Sequence, residues 1–290
     1  MITHQKTIPI GGRCWRVALS DDGQRAAVAS YYDLELWDLC EDTPRWKQHF
    51  PEAGGIPASL ALSPDQRVLA MACRKKLRLL DVDTGALLRE LDPGAYSGRM
   101  RFARDGARLF LAGKELLVCD VASGAVIARM AGPRTFNGFA LDASERTLAA
   151  VGDKSLWIYD LATHQLLHRY PYARFGATSV SLSPDGKSSW VSQAGEEATL
   201  IQIGKKSKKV LAVCSPGGML TELVTAPDGR WLLLTSEDGL TLHSPDGALL
   251  ARIDGWPECR VDDLSVSLDG ARLLSAHLDG TARLWAIKAG

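Results

Sequence analysis

The sequence predicts an all-β protein, a seven-bladed β-propeller of four-stranded antiparallel blades, and three observations carry that prediction. First, one turn recurs along the chain: Ser20-Asp21-Asp22-Gly23, Ser63-Pro64-Asp65-Gln66, Ser183-Pro184-Asp185-Gly186 and Ala226-Pro227-Asp228-Gly229 are its clearest copies. Second, the turn acid or its equivalent falls at Asp22, Asp65, Asp105, Ser144, Asp185, Asp228 and Asp269, with spacings of 43, 40, 39, 41, 43 and 41 residues. A period near 40 with four strand-like pieces per unit is the signature of propeller blades. Third, short apolar runs flank every turn, and helical periodicity is hard to find anywhere.

The second unit shows the elements in order. Residues 59–62 precede the turn, 68–73 follow it, 77–82 come next, and 87–91 close the unit after Asp83-Thr84-Gly85. These are strands a, b, c and d, counted outward from the expected axis. Strand b is nearly all apolar, as a strand covered on both faces must be. Asp-Gly, Thr-Gly and Ser-Gly pairs supply the tight turns between strands. The units span approximately 11–50, 51–92, 93–131, 132–171, 172–213, 214–254 and 255–290, forming a single domain without a linker. The seventh supplies only a, b and c, whereas residues 6–10 precede the first unit as an orphan strand. Residues 7–10 are therefore expected to be the outermost strand of the last blade. Pro9 is tolerable there because an outermost strand has a free edge.

Composition narrows the functional classes. Hydrophobic residues make up 46% and charged residues 23%, ordinary values for a globular chain. Lys plus Arg equals Asp plus Glu at 34 each, so the global attraction of a nucleic-acid binder is missing. The six cysteines, Cys14, Cys40, Cys73, Cys119, Cys214 and Cys259, form no CxxC pair and share no register. Cys73 and Cys119 read as buried free thiols, and no zinc site or disulfide ladder is expected. The N-terminus lacks an apolar signal region and no stretch approaches a membrane span, which leads to an expected cytoplasmic location.

The segments Leu34-Glu35-Leu36-Trp37-Asp38 and Thr281-Ala282-Arg283-Leu284-Trp285 resemble strand c of the WD40 repeat family. Related endings are Leu79-Leu80-Asp81, Val118-Cys119-Asp120 and Ile158-Tyr159-Asp160. The resemblance covers essentially the whole chain with degenerate copies: no unit carries a Gly-His pair before strand a, and units five and six lack the closing aromatic-Asp. The resemblance implies a buried Ser/Thr, His, Asp and Trp network in each blade. The last unit retains Ser275, Asp279 and Trp285, but its His277 stands at a different point from the family's histidine. Blade rigidity is accordingly expected to come mainly from apolar packing. The resemblance also implies that the N-terminal segment completes the last blade.

No catalytic, cofactor-binding or metal-binding constellation is expected. His4, His49, His164, His168, His243 and His277 share no register, whereas an axial metal or acid-base centre needs side chains converging from equivalent positions of several blades. Ser-Pro-Asp-Gly is a turn former and not a nucleophile elbow, since Gly-x-Ser-x-Gly is absent. Gly54-Gly55 and Gly217-Gly218 lack the following helix that would bind phosphate.

The connections carry the remaining information. The d-to-a links, which with the b-to-c turns form one face of such a propeller, hold Arg13 and Trp15, Tyr96 and Arg99, Arg134 and Phe136, Tyr172, Arg174 and Phe175, and Trp256 and Arg260. Trp, Tyr and Arg dominate protein interface hot spots. Each aromatic ring either projects as a contact or tucks beneath its loop to cap the blade; the recurrence of aromatic-Arg pairs favours a binding face. The b-to-c turns add Arg74, Lys75, Lys76, Lys114 and Lys154 in units two to four, and Glu196, Glu197, Glu237, Asp238 and Asp279 in units five to seven. Opposite charge on opposite sectors would orient a protein partner. On the other face, Lys205, Lys206, Lys208 and Lys209 form a secondary basic patch that reads as a solvated loop. The sequence thus points to a non-catalytic protein-interaction platform, an adaptor, scaffold or inhibitor-like partner of one or more proteins. Two alternatives remain: a propeller enzyme of the hydrolase or lactonase type with an axial site, and a nucleic-acid or membrane contact through the lysine loop.

Overall fold

In the computed structural model, the described residues are 2–50, 57–73, 76–92, 98–171, 177–193, 198–202, 209–214, 220–236, 239–253 and 261–288. They are all-β. After β1 (Ile2–Pro9), the first sheet comprises β2 (Arg16–Leu19), β3 (Arg25–Ala29), β4 (Asp33–Asp38) and β5 (Pro44–His49). The second comprises β6 (Pro57–Leu62), β7 (Val68–Cys73), β8 (Lys76–Asp81) and β9 (Leu87–Leu91), and the third β10 (Met100–Phe102), β11 (Arg108–Ala112), β12 (Leu116–Asp120) and β13 (Val126–Met130). The fourth holds β14 (Gly138–Leu141), β15 (Thr147–Gly152), β16 (Ser155–Asp160) and β17 (Gln165–Pro171), and the fifth β18 (Ala177–Leu182), β19 (Ser188–Gln193), β20 (Ala198–Gln202) and β21 (Lys209–Cys214). The sixth holds β22 (Leu220–Thr225), β23 (Leu232–Ser236), β24 (Gly239–His243) and β25 (Leu249–Ile253). The last is built from β26 (Val261–Val266), β27 (Arg272–His277) and β28 (Thr281–Ile287), with β1 added beside β28. These are seven four-stranded blade sheets of the propeller type, and the N-terminal strand completes the last one as expected. It begins earlier than the sequence suggested, at Ile2, and ends at Pro9.

The chain falls into two compact units. One contains residues Thr3–Arg129 and Asp262–Ile287; the other contains Met130–Val261 with the chain ends. Within the first unit, Leu34 and Leu36 of the first sheet meet Leu60, Leu69, Met71 and Leu80 of the second, all buried. Ala70, Ala72 and Leu79 meet Phe102, Leu109 and Leu111 of the third in the same way. Within the other unit, Val151, Leu156 and Ile158 pack on Val180, Leu182 and Val191. Small residues at the b strands, such as Ala26, Ala27 and Ala29, let neighbouring sheets approach closely at full burial.

The recurrent turn owes its shape to local hydrogen bonds. Ser20 Oγ donates to Asp22 Oδ1 at 2.6 Å, Asp22 Oδ1 accepts from the Gln24 amide at 2.9 Å, and Ser20 Oγ accepts from the Arg25 amide at 2.9 Å. The same bonds recur at Ser63 with Asp65, Ser183 with Asp185 and Ser267 with Asp269. In the fourth unit the two roles are exchanged. Asp142 accepts from the Arg146 and Thr147 amides, while Ser144 donates its hydroxyl to Asp142 at 2.5 Å. Gln66 and Glu145 hold the position of the turn glycine at φ of 57° and 52°, a strained choice that these side-chain bonds offset. The acid that ends strand c acts similarly: Asp81, Asp120 and Asp160 each accept from the amide and hydroxyl of the residue three positions on, Thr84, Ser123 and Thr163.

These bonds make acid stability a property of the repeat. Donation from the Ser183 and Ser267 hydroxyls holds the Asp185 and Asp269 carboxyls below the usual value of 3.8, and the Thr84 and Ser123 hydroxyls do the same for Asp81 and Asp120. Burial likewise lowers the His243 pKa from the ordinary 6.5. Its Nδ1 donates to the Gly247 carbonyl at 3.2 Å, so in the neutral ring Nε2 accepts from the Thr241 hydroxyl at 3.0 Å. All these folded-state values are depressed. Their stabilisation is complete above the unfolded-state pKa and is lost as pH falls through the folded one. Denaturation midpoints followed from pH 7.5 to 3 should therefore fall in two stages, below 6.5 and again below 3.8. His243→Gln should remove the first stage alone, and an unchanged two-stage profile in that variant would refute the assignment.

Candidate functional site

Strand c sets the chemistry inside the blades. The Trp285 indole N–H donates to Ser275 Oγ at 2.8 Å, and that oxygen stands 2.8 Å from Nε2 of His277, with Ser275 and His277 fully buried. His277 therefore does join the polar network of the last sheet, contrary to the sequence expectation. Residues two apart on a strand share a face, so His277 on strand b reaches Ser275 of the same strand. Asp279 turns elsewhere: it accepts from the Thr281 amide and hydroxyl and pairs with Arg283 at 2.5 Å. Other c-strand tryptophans find different acceptors, Trp37 the buried Glu35 at 2.9 Å and Trp157 the Gly152 carbonyl at 3.3 Å. Cys73 and Cys119 are buried free thiols, each pushed up to about 11 chiefly by burial. Burial raises Cys14 as well. Among the described residues no three His, Cys, Asp or Glu side chains gather as a metal site, and no helix is long and apolar enough to cross a membrane.

The link residues sort into two kinds. Arg13 is exposed, and its guanidinium lies 5.1 Å from the centroid of the half-buried Trp15 ring. Arg99 reaches Asp263 at 4.0 Å, and the other oxygen of that carboxylate accepts from the Val17 amide at 3.1 Å. Arg134 is exposed, and its amide donates to Asp153 in the next b-to-c turn at 2.9 Å.

Phe136 corrects the expectation of a contact residue. It is only 1% exposed, with its ring edge-on to Trp157 and Tyr159 at 6.4 Å. A Cβ at Gly132 would meet the Phe136 ring at 2.0 Å, so glycine makes the space into which the ring folds. This is the cap beneath the loop that the sequence left as an alternative. Tyr96, Tyr172, Arg174, Phe175, Trp256 and Arg260 lie outside the described residues, as do Lys205, Lys206 and Lys208; Lys209 opens β21. Of the turn charges, Arg74, Lys75, Glu196, Glu197, Glu237 and Asp238 also lie outside them, Lys76 pairs with Glu90, and Lys114 and Lys154 are exposed.

The structure adds an aromatic pair that the sequence reading passed over. Tyr31 and Tyr32, in the turn between β3 and β4, are 44% and 49% exposed, with their rings edge-to-face at 4.4 Å. Tyr32 lies 5.9 Å from the His49 ring, its carbonyl accepts from the Phe50 amide at 2.7 Å, and Arg78 of the second sheet stands over Phe50. The Trp15 amide donates to Ala29, so Trp15 sits at this same end of the first sheet. The signal is legible as two adjacent aromatics in a b-to-c turn.

A search of curated proteins gives no match. Residues 247–286 match the family model described as WD domain, G-beta repeat, a stretch from the turn before β25 to β28. The sequence repeat thus runs d, a, b, c, one strand out of phase with the sheets. Residues 247–286 thus carry a WD40 repeat, and the seven sheets share the four-stranded antiparallel plan of a propeller blade.

Proposed function

We propose that this chain is a non-catalytic protein-interaction platform, an adaptor, scaffold or inhibitor-like partner, that binds through its d-to-a links and b-to-c turns. WD40 propellers commonly serve as such platforms and are typically non-enzymatic. The observation that carries the reading is the end of the first sheet, where Tyr31 and Tyr32 stand in solvent at the same end as Arg13 and Trp15. Exposed aromatic rings contribute nothing to the packing of a turn, whereas buried at an interface Tyr, Trp and Arg dominate the binding energy. The reading includes a cytoplasmic location, which suits the buried reduced thiols of Cys14, Cys73 and Cys119.

Chemical cross-linking of the intact, tagged chain in its native lysate, with the cross-linked positions mapped, tests this. Cross-links to partner chains should concentrate within 11–16, 30–33, 98–99 and 133–137. Cross-links confined to the c-to-d turns and outer strands would place binding elsewhere and overturn the assignment.

A further inference from the structure

The aromatic end of the first sheet carries its charges in two layers. Lys47 bridges Asp33 at 3.0 Å and Glu35 at 2.9 Å, and the lysine is 45% exposed where the two acids are 18% and 5% exposed. His49, 61% exposed, covers the other oxygen of Asp33 at 2.7 Å. On the neighbouring sheet Lys76 lies outside Glu90, at 51% against 32%. In each of these pairs the acid is the deeper member and the base faces solvent. The Asp33 carboxyl is held low first by its hydrogen bond to His49 and then by Lys47, so it stays ionised beneath these two side chains. Arg13 has no carboxylate partner among the described residues; the Trp15 ring holds it in place. The outer layer therefore presents Arg13, and Lys47 and Lys76 above their deeper acids, around an exposed aromatic pair.

We propose that this end of the first sheet, continued onto the second, docks an acidic linear segment of a partner protein. Its carboxylates meet Arg13, Lys47 and Lys76, and an aromatic or aliphatic side chain packs on Tyr31 and Tyr32. Charge complementarity of this kind raises the association rate and rejects basic partners. The acids lying under the cations oppose a polyphosphate, whose affinity comes from many uncompensated cations, and favour a peptide with spaced carboxylates. The proposal rests on the platform reading above and names the partner class of one part of that face.

A random 12-residue peptide library displayed on phage and selected against the intact chain tests it. The selected sequences should be rich in Asp and Glu around an aromatic or leucine residue. Their synthetic peptides should bind about tenfold more weakly to Y31A/Y32A, a loss equivalent to about 1.4 kcal/mol, and more weakly to R13E with a shallower salt dependence. Both variants alter exposed positions, and unchanged melting curves verify their folding. Selection of basic or uncharged sequences, of none, or of acidic ones whose binding ignores both variants overturns the proposal. So does binding of an oligodeoxythymidylate that these variants abolish. The cross-linking map does not depend on peptide charge, so it decides the platform reading separately: partners mapped only to 98–99 and 133–137 would leave the platform standing and remove this patch from it.

Discussion

Deletion of residues 1–10 lowers the melting temperature of the chain by roughly 10 °C, at 2–4 °C per kcal/mol for a chain of this size. β1 is mostly exposed, but Ile8 is fully buried and Ile10 is 6% exposed, and both belong to the core that also holds Val17, Leu19, Val28, Leu274 and Leu284. Removing two such side chains forfeits about 3–6 kcal/mol of transfer free energy, part of which the freed chain entropy returns. The deletion also strips the β28 edge of its backbone partner and removes the Ile10 amide bond to the Gly280 carbonyl at 2.8 Å. Ile8→Ser in the full-length chain should reproduce a large share of the loss, because it buries a hydroxyl where a methyl cluster was. Substitution of the exposed Thr3 or Gln5 by Ala should leave the melt unchanged. A truncated chain that melts with the intact one would show that β1 adds nothing to the last sheet.

Ser275→Ala costs about 3 kcal/mol of unfolding free energy, a single oxygen atom notwithstanding, because a buried polar group left without its partner loses about 1–3 kcal/mol. Two groups lose theirs here: the Trp285 indole N–H and Nε2 of His277, each 2.8 Å from the serine oxygen. Trp285→Phe removes one of the orphans in advance, so the double variant should lose clearly less than the sum of the single ones in urea titrations. Strict additivity would mean that the trio is not a network. Ser275→Thr, which keeps the hydroxyl, should retain most of the stability if its added methyl is accommodated.

These two cases differ in how they could be read from the chain. The orphan strand follows from counting: six units supply d and the seventh does not, so an unpaired segment at the other end has one vacant edge to fill. Pro9 agreed with that position, since β1 is an outer strand whose missing amide faces no partner strand. The histidine stands in the sequence away from the spacing of the family it resembles. The geometry of a strand, with His277 two residues from Ser275 on one face, would have placed it correctly. The exchanged pair at Asp142 and Ser144 teaches the same point, because a turn conserves a hydrogen bond and not the order of the two residues that make it.

The sequence by itself determined the repeat, the four strands of each unit, the turns and the outer position of the N-terminal strand. All of these rest on interactions within about five residues or on the period of two in a strand, and such local terms are written directly in the order of side chains. Only the tertiary structure decided which aromatics of the connections reach solvent. Phe136 and Tyr32 look alike in sequence, each an aromatic in a connection, but Gly132, Trp157 and Tyr159 close over the first, whereas the ring of the second lies against Tyr31 and His49 and stays half exposed. Burial is set by what distant segments bring to a side chain, and so the surface of this chain had to be seen in three dimensions.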